Sequence, residues 1–376
     1  MSLLRVVVLF GGRSVEREVS RLSARTIAGA LDPSRYEVVP LAVGPDGRFL
    51  PAGESRRLLS AGPVPEKFRL RESVPASAQP EQALVPAEIS PARADVVIPI
   101  IHGTTGEDGV LQGFLEFLGI PYVGAGVAGS AIGMDKSVFK ALLRDAGIPT
   151  TRFLSLSPRE RLALRSLGEG GTGVRGQLSA SNPAFSLPLF VKPSNGGSSV
   201  GVSKVKDWSD LDAALDLAFR YDDRALIEEG IDARELECSV LGNDEPRASI
   251  VGEVVPGREF YDYDDKYRED NAKLLIPAPI PHAVSDEVRS LAVKAFRVAQ
   301  ISGMARVDFF LERGTDRVLV NEVNTLPGFT AISMYPKLWE ASGLPLGKLL
   351  DELIRLAIER KEKRDRLSHE PPAELA

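Results

Sequence analysis

The sequence predicts a mixed α/β and α+β protein: an N-terminal open parallel α/β domain followed by two α+β lobes. Three observations lead there. RVVVLF (5–10) and YEVVPLAV (36–43) are β-branched apolar runs on either side of a helical repeat, the pattern of a strand–helix–strand unit buried on both faces. RELECSVLG and RASIVGEVV alternate like antiparallel strands further on. MARVDFFL and RVLVNEV (317–323) flank a Gly-containing turn as a hairpin. At 376 residues the chain has room for two or three domains of about 150 residues.

After the first strand, Ser14 is the expected helix N-cap, and Val15, Val19, Leu22 and Thr26 recur at helical spacing before Pro33. Residues 44–94 hold eight prolines and scattered charge, which reads as a lid-like or partly ordered excursion. DVVIPIIHG (95–103) is another buried strand, running into a polar, Gly-rich turn, and VLQGFLEFLG (110–119) a helix. SVFKALLRDAG is an amphipathic helix closed by Gly147, with Pro149 just beyond. Residues 166–186, dense in Gly and Ser, read as a flexible insertion. LPLFVKP (187–193), GVSKV (201–205) and ALIEE (225–229) are expected strands, and DLDAALDLAFRY (210–221) a helix. EVRSLAVKAFRVAQI (287–301) is a further helix, and the last starts near Leu346. The expected divisions are 1–124, 125–226 and 227–376.

With 46 Lys and Arg against 52 Asp and Glu the net charge is −6, and no long basic run is present. That balance argues against nucleic acid or an anionic membrane as the main partner. A single cysteine, Cys238, excludes an internal disulfide framework, and three distant histidines do not make a zinc site. The longest apolar runs fall far short of the roughly 18 residues of a membrane span. Residues 1–12 read as a first strand rather than a signal peptide, so a reduced, cytoplasmic protein is expected.

Two stretches match G-x-G-x-x-G, at Gly124–Gly129 and Gly171–Gly176. Neither has the strand before and the acid after that a dinucleotide site needs, so both read as turn or linker glycines. Gly343 to Leu349 fails the Walker spacing. VKPSNGGSSVGVSKV (191–205) is stronger. Lys192 ends a strand, and the following glycines let backbone N–H groups converge on an anion. Ser198 and Ser199 add neutral donors there, though a flexible hairpin loop with a surface lysine has the same composition.

In MARVDFFL, alternation puts Arg306, Asp308 and Phe310 on one face; in RVLVNEVN it puts Val320, Glu322 and Asn324 on one face. Closing the hairpin brings Asp308 and Glu322 to roughly 5 Å at Cβ, which is destabilising unless something cationic lies between them. Two carboxylates and an amide oxygen suit Mg2+ bearing nucleotide phosphates. The competing reading is a solvated sheet face on which Arg306 neutralises both acids.

Taken in order, GGRSVEREVS, HGTTGEDGVLQG, GMDK, VKPSNGGSSVGVSKV, EFYDYDDKY, ARVDFF and NEVNTLPGFTAIS make the chain resemble the D-alanine–D-alanine ligases of the ATP-grasp superfamily along nearly its whole length. The resemblance implies a two-lobed ATP-grasp fold behind the N-terminal domain. It implies a ligase that joins two D-alanines at the expense of ATP through an acyl phosphate, for peptidoglycan precursors. ATP, Mg2+ or Mn2+ (two ions), D-alanine and a homodimer follow from the same likeness.

By the resemblance, Glu16 holds the ammonium of the first D-alanine and His102 faces its carboxylate. Lys136 and Lys192 take nucleotide phosphates with Ser198 and Ser199, while Glu228 and Glu235 face adenine and ribose. Asp308, Glu322 and Asn324 hold metal. Arg306, with the N–H of Gly328, faces the oxyanion, a contribution of roughly 3–4 kcal/mol per donor in comparable sites. Ser333 and Met334 receive the second carboxylate; leucine is commoner than methionine in the family. EFYDYDDKYRED (259–270) would be a lid excluding water from the acyl phosphate. From it Lys266 reaches the γ-phosphate or second carboxylate, and Tyr267 closes onto Glu16 and Ser198. Relatives using D-lactate carry histidine there, so tyrosine favours an amine nucleophile.

On residue type alone, Glu16 is a helix N-terminal acid, His102 a structural histidine and Lys136 a surface charge. Residues 227–237 then read as a solvated acidic face and 259–270 as an acidic surface loop. The alternatives are a sister ligase taking D-serine or D-lactate second, and a non-catalytic two-lobed small-molecule-binding protein. The second has no reason to gather Asp308, Glu322 and Asn324.

Overall fold

The computed structural model describes residues 3–61, 86–90, 92–166, 174, 185–256 and 273–368. Three sheets organise it. β1 (Leu4–Gly11), β2 (Tyr36–Val43) and β3 (Val96–Pro99) form a parallel sheet in the order β2-β1-β3, with Val6 beside both Val38 and Val96. β4 (Phe153–Leu156), β5 (Leu189–Pro193), β6 (Ser203–Val205) and β7 (Ala225–Glu229) form an antiparallel sheet in the order β4-β7-β5-β6. β8 (Ala233–Gly242), β9 (Arg247–Val255), β10 (Lys273–Leu275), β11 (Gly303–Glu312) and β12 (Val318–Asn324) form a third, also antiparallel, in the order β10-β9-β8-β11-β12.

Alternation in the third sheet separates chemistry from packing. Leu236, Cys238, Val240, Val307, Phe309 and Leu311 point to one face and pack with Val288, Leu291 and Phe296 of the helix His282–Val298. The other face carries Glu235, Glu237, Arg306, Asp308 and Phe310. The core of the parallel sheet is built differently. Val6, Val8, Phe10, Ile27 and Ile98 share one cluster with Leu349, Leu353, Ile354 and Leu356 of the distant helix Leu346–Asp365. Arg360 of that helix donates to the carbonyls of Tyr122 (2.8 Å) and Gly124 and to Ser302 Oγ (2.9 Å), and lies over the Tyr122 ring.

Several sequence expectations need correction. The first helix spans Arg17–Ala30, so Glu16 rather than Ser14 occupies the N-cap position; the Ser14 hydroxyl accepts the Glu16 N–H instead, at 3.1 Å. The 44–94 excursion contains the helix Ala52–Ser60, anchored where Ser55 Oγ accepts the Ala42 N–H at 3.0 Å; residues 62–85 and 91 are outside the described residues. The third strand stops at Pro99, and the expected 287–301 helix begins at His282. The helices Val127–Met134 and Met334–Ala341 were not expected. The first Gly-rich match serves packing: a Cβ on Gly129 would stand 2.8 Å from the Gln300 carbonyl oxygen. The second lies outside the described residues except for Val174.

Gly11 closes β1 with a φ of +97°, and a Cβ there would collide with the Val43 carbonyl oxygen. Gly11→Ala therefore adds backbone strain to a backbone clash, and should cost about 3 kcal/mol. Urea unfolding checks this; a variant with unchanged midpoint would contradict the turn assignment.

Candidate active site

A cleft of about 890 Å³ lies where the three sheets approach one another. Every site residue named from sequence that falls among the described residues lines it. Lys266 and Tyr267, in the 257–272 segment, lie outside those residues.

The floor is the polar face of the third sheet. Asp308 stands directly opposite Glu322, the expected neighbour, and Arg306 opposite Asn324, a register that alternation alone left open. Beyond Asp308 the pairing slips, with Phe309 opposite Val320, so Asn321 is the extra residue of a β-bulge. The bulge corrects one expectation: Val320 joins the apolar core instead of sharing a face with Glu322 and Asn324. It also turns Asn321 into the cleft. Arg306 grips Asp308 through Nε–Oδ1 and Nη2–Oδ2, both 2.7 Å, and its Nε lies 2.9 Å from Glu237 Oε2. Burial works against the guanidinium charge, but Asp308, Glu237 and Glu322 outweigh it and hold its pKa well above the usual value. Asn324 Oδ1 accepts the Leu326 N–H at 3.1 Å, which fixes the amide and leaves its oxygen a second lone pair.

The second sheet supplies cations and the serine-glycine loop. Asp135 caps the helix Lys136–Asp145, accepting from Ser137 and Val138, and receives Ser194 Oγ at 2.6 Å. This ties Lys136 to the loop, where its Nζ donates to the Gly196 carbonyl at 2.5 Å. Ser198 and Ser199 both have positive φ, at 52° and 59°. Such residues persist only where the surroundings impose them, and successive N–H groups in this conformation suit an anion. Lys192 reaches the buried Glu228, which lies 2.7 Å from Lys140 Nζ on its other side. Lys140 also donates to Thr151 Oγ1 (2.8 Å) and Thr150 Oγ1 (3.1 Å). One anion between two ammonium groups is over-neutralised. Burial raises the Glu228 pKa, but Lys140 and Lys192 pull it down further, to about 2. The helical spacing in KSVFKALLRD gave no reason to single out Lys140, which is fully buried.

The third wall comes from the parallel sheet and its loops. His102 is buried, its Nδ1 3.3 Å from Glu107 Oε1, while Glu107 Oε2 accepts the Gly103 N–H at 2.9 Å. Burial opposes the imidazolium, yet Glu107 and then Glu16 raise its pKa. A Cβ on Gly197 would stand 3.8 Å from Glu16 Oε2, so the serine-glycine loop closes against Glu16. Opposite, Gly328 lies so near Ser333 that a Cβ would approach its Oγ to 2.8 Å. Ser333 Oγ accepts the Thr330 N–H at 2.9 Å and sits at the N-terminus of the helix Met334–Ala341. Glu107 and Glu237 were missed from sequence. Alternation in RELECSVLG does place Glu237 beside Glu235, whereas Glu107 lies in an irregular turn with no such signal.

Two antiparallel sheets closing on a shared cleft, one bearing lysines and a serine-glycine loop and the other paired acids, place the protein in the ATP-grasp class. The family described as "D-ala D-ala ligase N-terminus" matches residues 5–125, and "D-ala D-ala ligase C-terminus" matches residues 142–355. A D-alanine–D-alanine ligase A of Chromobacterium violaceum is 49% identical over 380 residues, covering 98% of this chain and 99% of that one. Ligase A of Escherichia coli O6:H1 is 47% identical over 367 residues, covering 96% and 97%. Among solved structures, the D-alanine-D-alanine ligase from Coxiella burnetii aligns with a TM-score of 0.79 at 38% identity, covering 97% of each chain. The VanG D-Ala:D-Ser ligase from Enterococcus faecalis aligns at 0.76 and 30% identity, covering 95% of this chain and 100% of that one. The chain belongs to the D-alanine–D-alanine ligase family.

Proposed function

We propose that the protein joins two D-alanines into D-alanyl-D-alanine, using ATP to activate the first carboxylate as an acyl phosphate. The observation that carries this reading is the convergence on one cleft of the Asp308–Glu322 pair, the serine-glycine loop with Lys136 and Lys192, and Glu16 with His102. The donor set fits a hard divalent cation: two facing carboxylates with an amide oxygen one register pair away. Asp308, Glu322 and Asn324 would hold Mg2+ or Mn2+, which would supply neutralising charge beside the transferring phosphoryl group.

Glu16 takes the ammonium of the first D-alanine, and His102, kept oriented by Glu107, meets its carboxylate. Lys136, Lys192 and the N–H groups around Ser198 and Ser199 hold the nucleotide phosphates, while Glu228 and Glu235 border the adenosine. Ser333 and the Met334 N–H receive the second D-alanine's carboxylate, which the partial positive charge of the helix N-terminus favours. Its amine attacks the acyl phosphate. Arg306 and the Gly328 N–H face the developing oxyanion, and phosphate leaves as the tetrahedral centre collapses. For Lys266 and Tyr267, outside the described residues, the roles toward phosphate and Glu16 rest on the family resemblance alone. We assign the enzyme to the cytoplasm, as a homodimer supplying peptidoglycan precursors; no helix among the described residues is long and apolar enough to cross a membrane.

Phosphate release from ATP should require both D-alanine and Mg2+, with L-alanine inactive. Equal release without any amino acid would overturn the ligase reading. In the same assay D-alanine should exceed D-serine and D-lactate as second substrate.

A further inference from the structure

We propose that Glu237 is a positioning residue for the metal-dependent step, the carboxylate that keeps Arg306 seated when Asp308 turns to a divalent cation. The inference rests on the metal reading above and names a residue that reading does not use. Glu237 faces Asp308 across β8 and β11 just as Glu322 faces it across β11 and β12, so three carboxylates stand in one row over three strands. Arg306 lies among them, gripping both Asp308 oxygens at 2.7 Å with Nε 2.9 Å from Glu237. That grip occupies the oxygens a divalent ion would need.

A guanidinium and a metal ion bound to one buried carboxylate repel each other, with little solvent screening to soften it. Glu237 gives the guanidinium somewhere else to stay. Its side chain is about nine-tenths buried. The neighbouring position on β9 is Gly252, where Met334 and Leu338 fill the space a side chain would need, so the carboxylate is held between Arg306 and an apolar wall.

The test is Mn2+ binding to the full-length protein in the presence of ADP, read by electron paramagnetic resonance, alongside the Mg2+ dependence of turnover. Glu237→Gln should weaken Mn2+ binding roughly tenfold and raise the Mg2+ needed for half-maximal rate in step. Glu237→Asp, which keeps the charge, should recover most of the loss. The deciding measurement is the double variant. In an Arg306→Met background the cation to be held is gone, so adding Glu237→Gln should change Mn2+ binding less than about twofold. An undiminished tenfold loss in that background would mean that Glu237 acts as plain charge or as a ligand, and would overturn the proposal. Wild-type Mn2+ affinity in Asp308→Asn would instead overturn the metal reading, and this inference with it.

Discussion

Asp308→Asn is expected to lower kcat by on the order of 10³-fold or more, about 4 kcal/mol of transition-state stabilisation, while the protein stays folded. The substitution keeps the shape of the side chain and removes its charge. Arg306 keeps Glu237 as a partner, so no buried cation is stranded. The strand itself is held by Val307 and Phe309 on the opposite face. What disappears is one of the two anions facing each other at register-partner positions, and with it the charge that favours a divalent ion beside the phosphates. Steady-state turnover and thermal unfolding together decide the matter. Near wild-type kcat would refute the metal assignment, and loss of folding would show that Asp308 serves chiefly as structural partner of Arg306.

Lys140→Met should destabilise the protein by about 3 kcal/mol at neutral pH and raise KM for ATP several-fold. Lys140 is buried between Thr150, Thr151 and Glu228, with its own pKa lowered first by burial. Removing it leaves the Glu228 carboxylate buried with the Lys192 ammonium and the Thr151 hydroxyl, one cation fewer than before. Lys192 is then drawn more firmly to Glu228 and away from the phosphates we propose it holds, which is why ATP affinity should fall with stability. The pH dependence has a definite sign. The folded pKa of Glu228, about 2, lies below its ordinary 4.5. The stability it contributes is therefore complete above about pH 4.5 and lost as pH falls toward 2. The gap between wild type and variant should be widest at neutral pH and close through that acid window. A gap unchanged down to pH 2.5 would separate Lys140 from Glu228.

The acid-bearing faces were legible because alternation decides which side chains share a face of a strand, although it left the register of the hairpin open. The bulge at Asn321 was not, since one extra residue in a ladder leaves no trace in hydrophobic pattern. Lys140 shows the same boundary from another side. Four residues after Lys136 it repeats a polar helix position, and only tertiary packing, which sets Thr150, Thr151 and Glu228 around its ammonium, buries it. The helix Met334–Ala341 was hidden by Pro336, which is tolerated in a first turn but discourages a helix reading. Helix Leu346–Asp365 was found readily, yet nothing local reveals that it packs on the sheet formed by Leu4–Gly11, Tyr36–Val43 and Val96–Pro99.

That long-range packing bears on synthesis. As the ribosome feeds out the chain, β1 to β3 emerge well before the leucines and isoleucine that seal one flank of their core, at 349, 353, 354 and 356. Until then the nascent N-terminal region carries a bare apolar flank, a natural landing place for chaperones, and the Arg360 clasp onto Tyr122 and Gly124 cannot yet form.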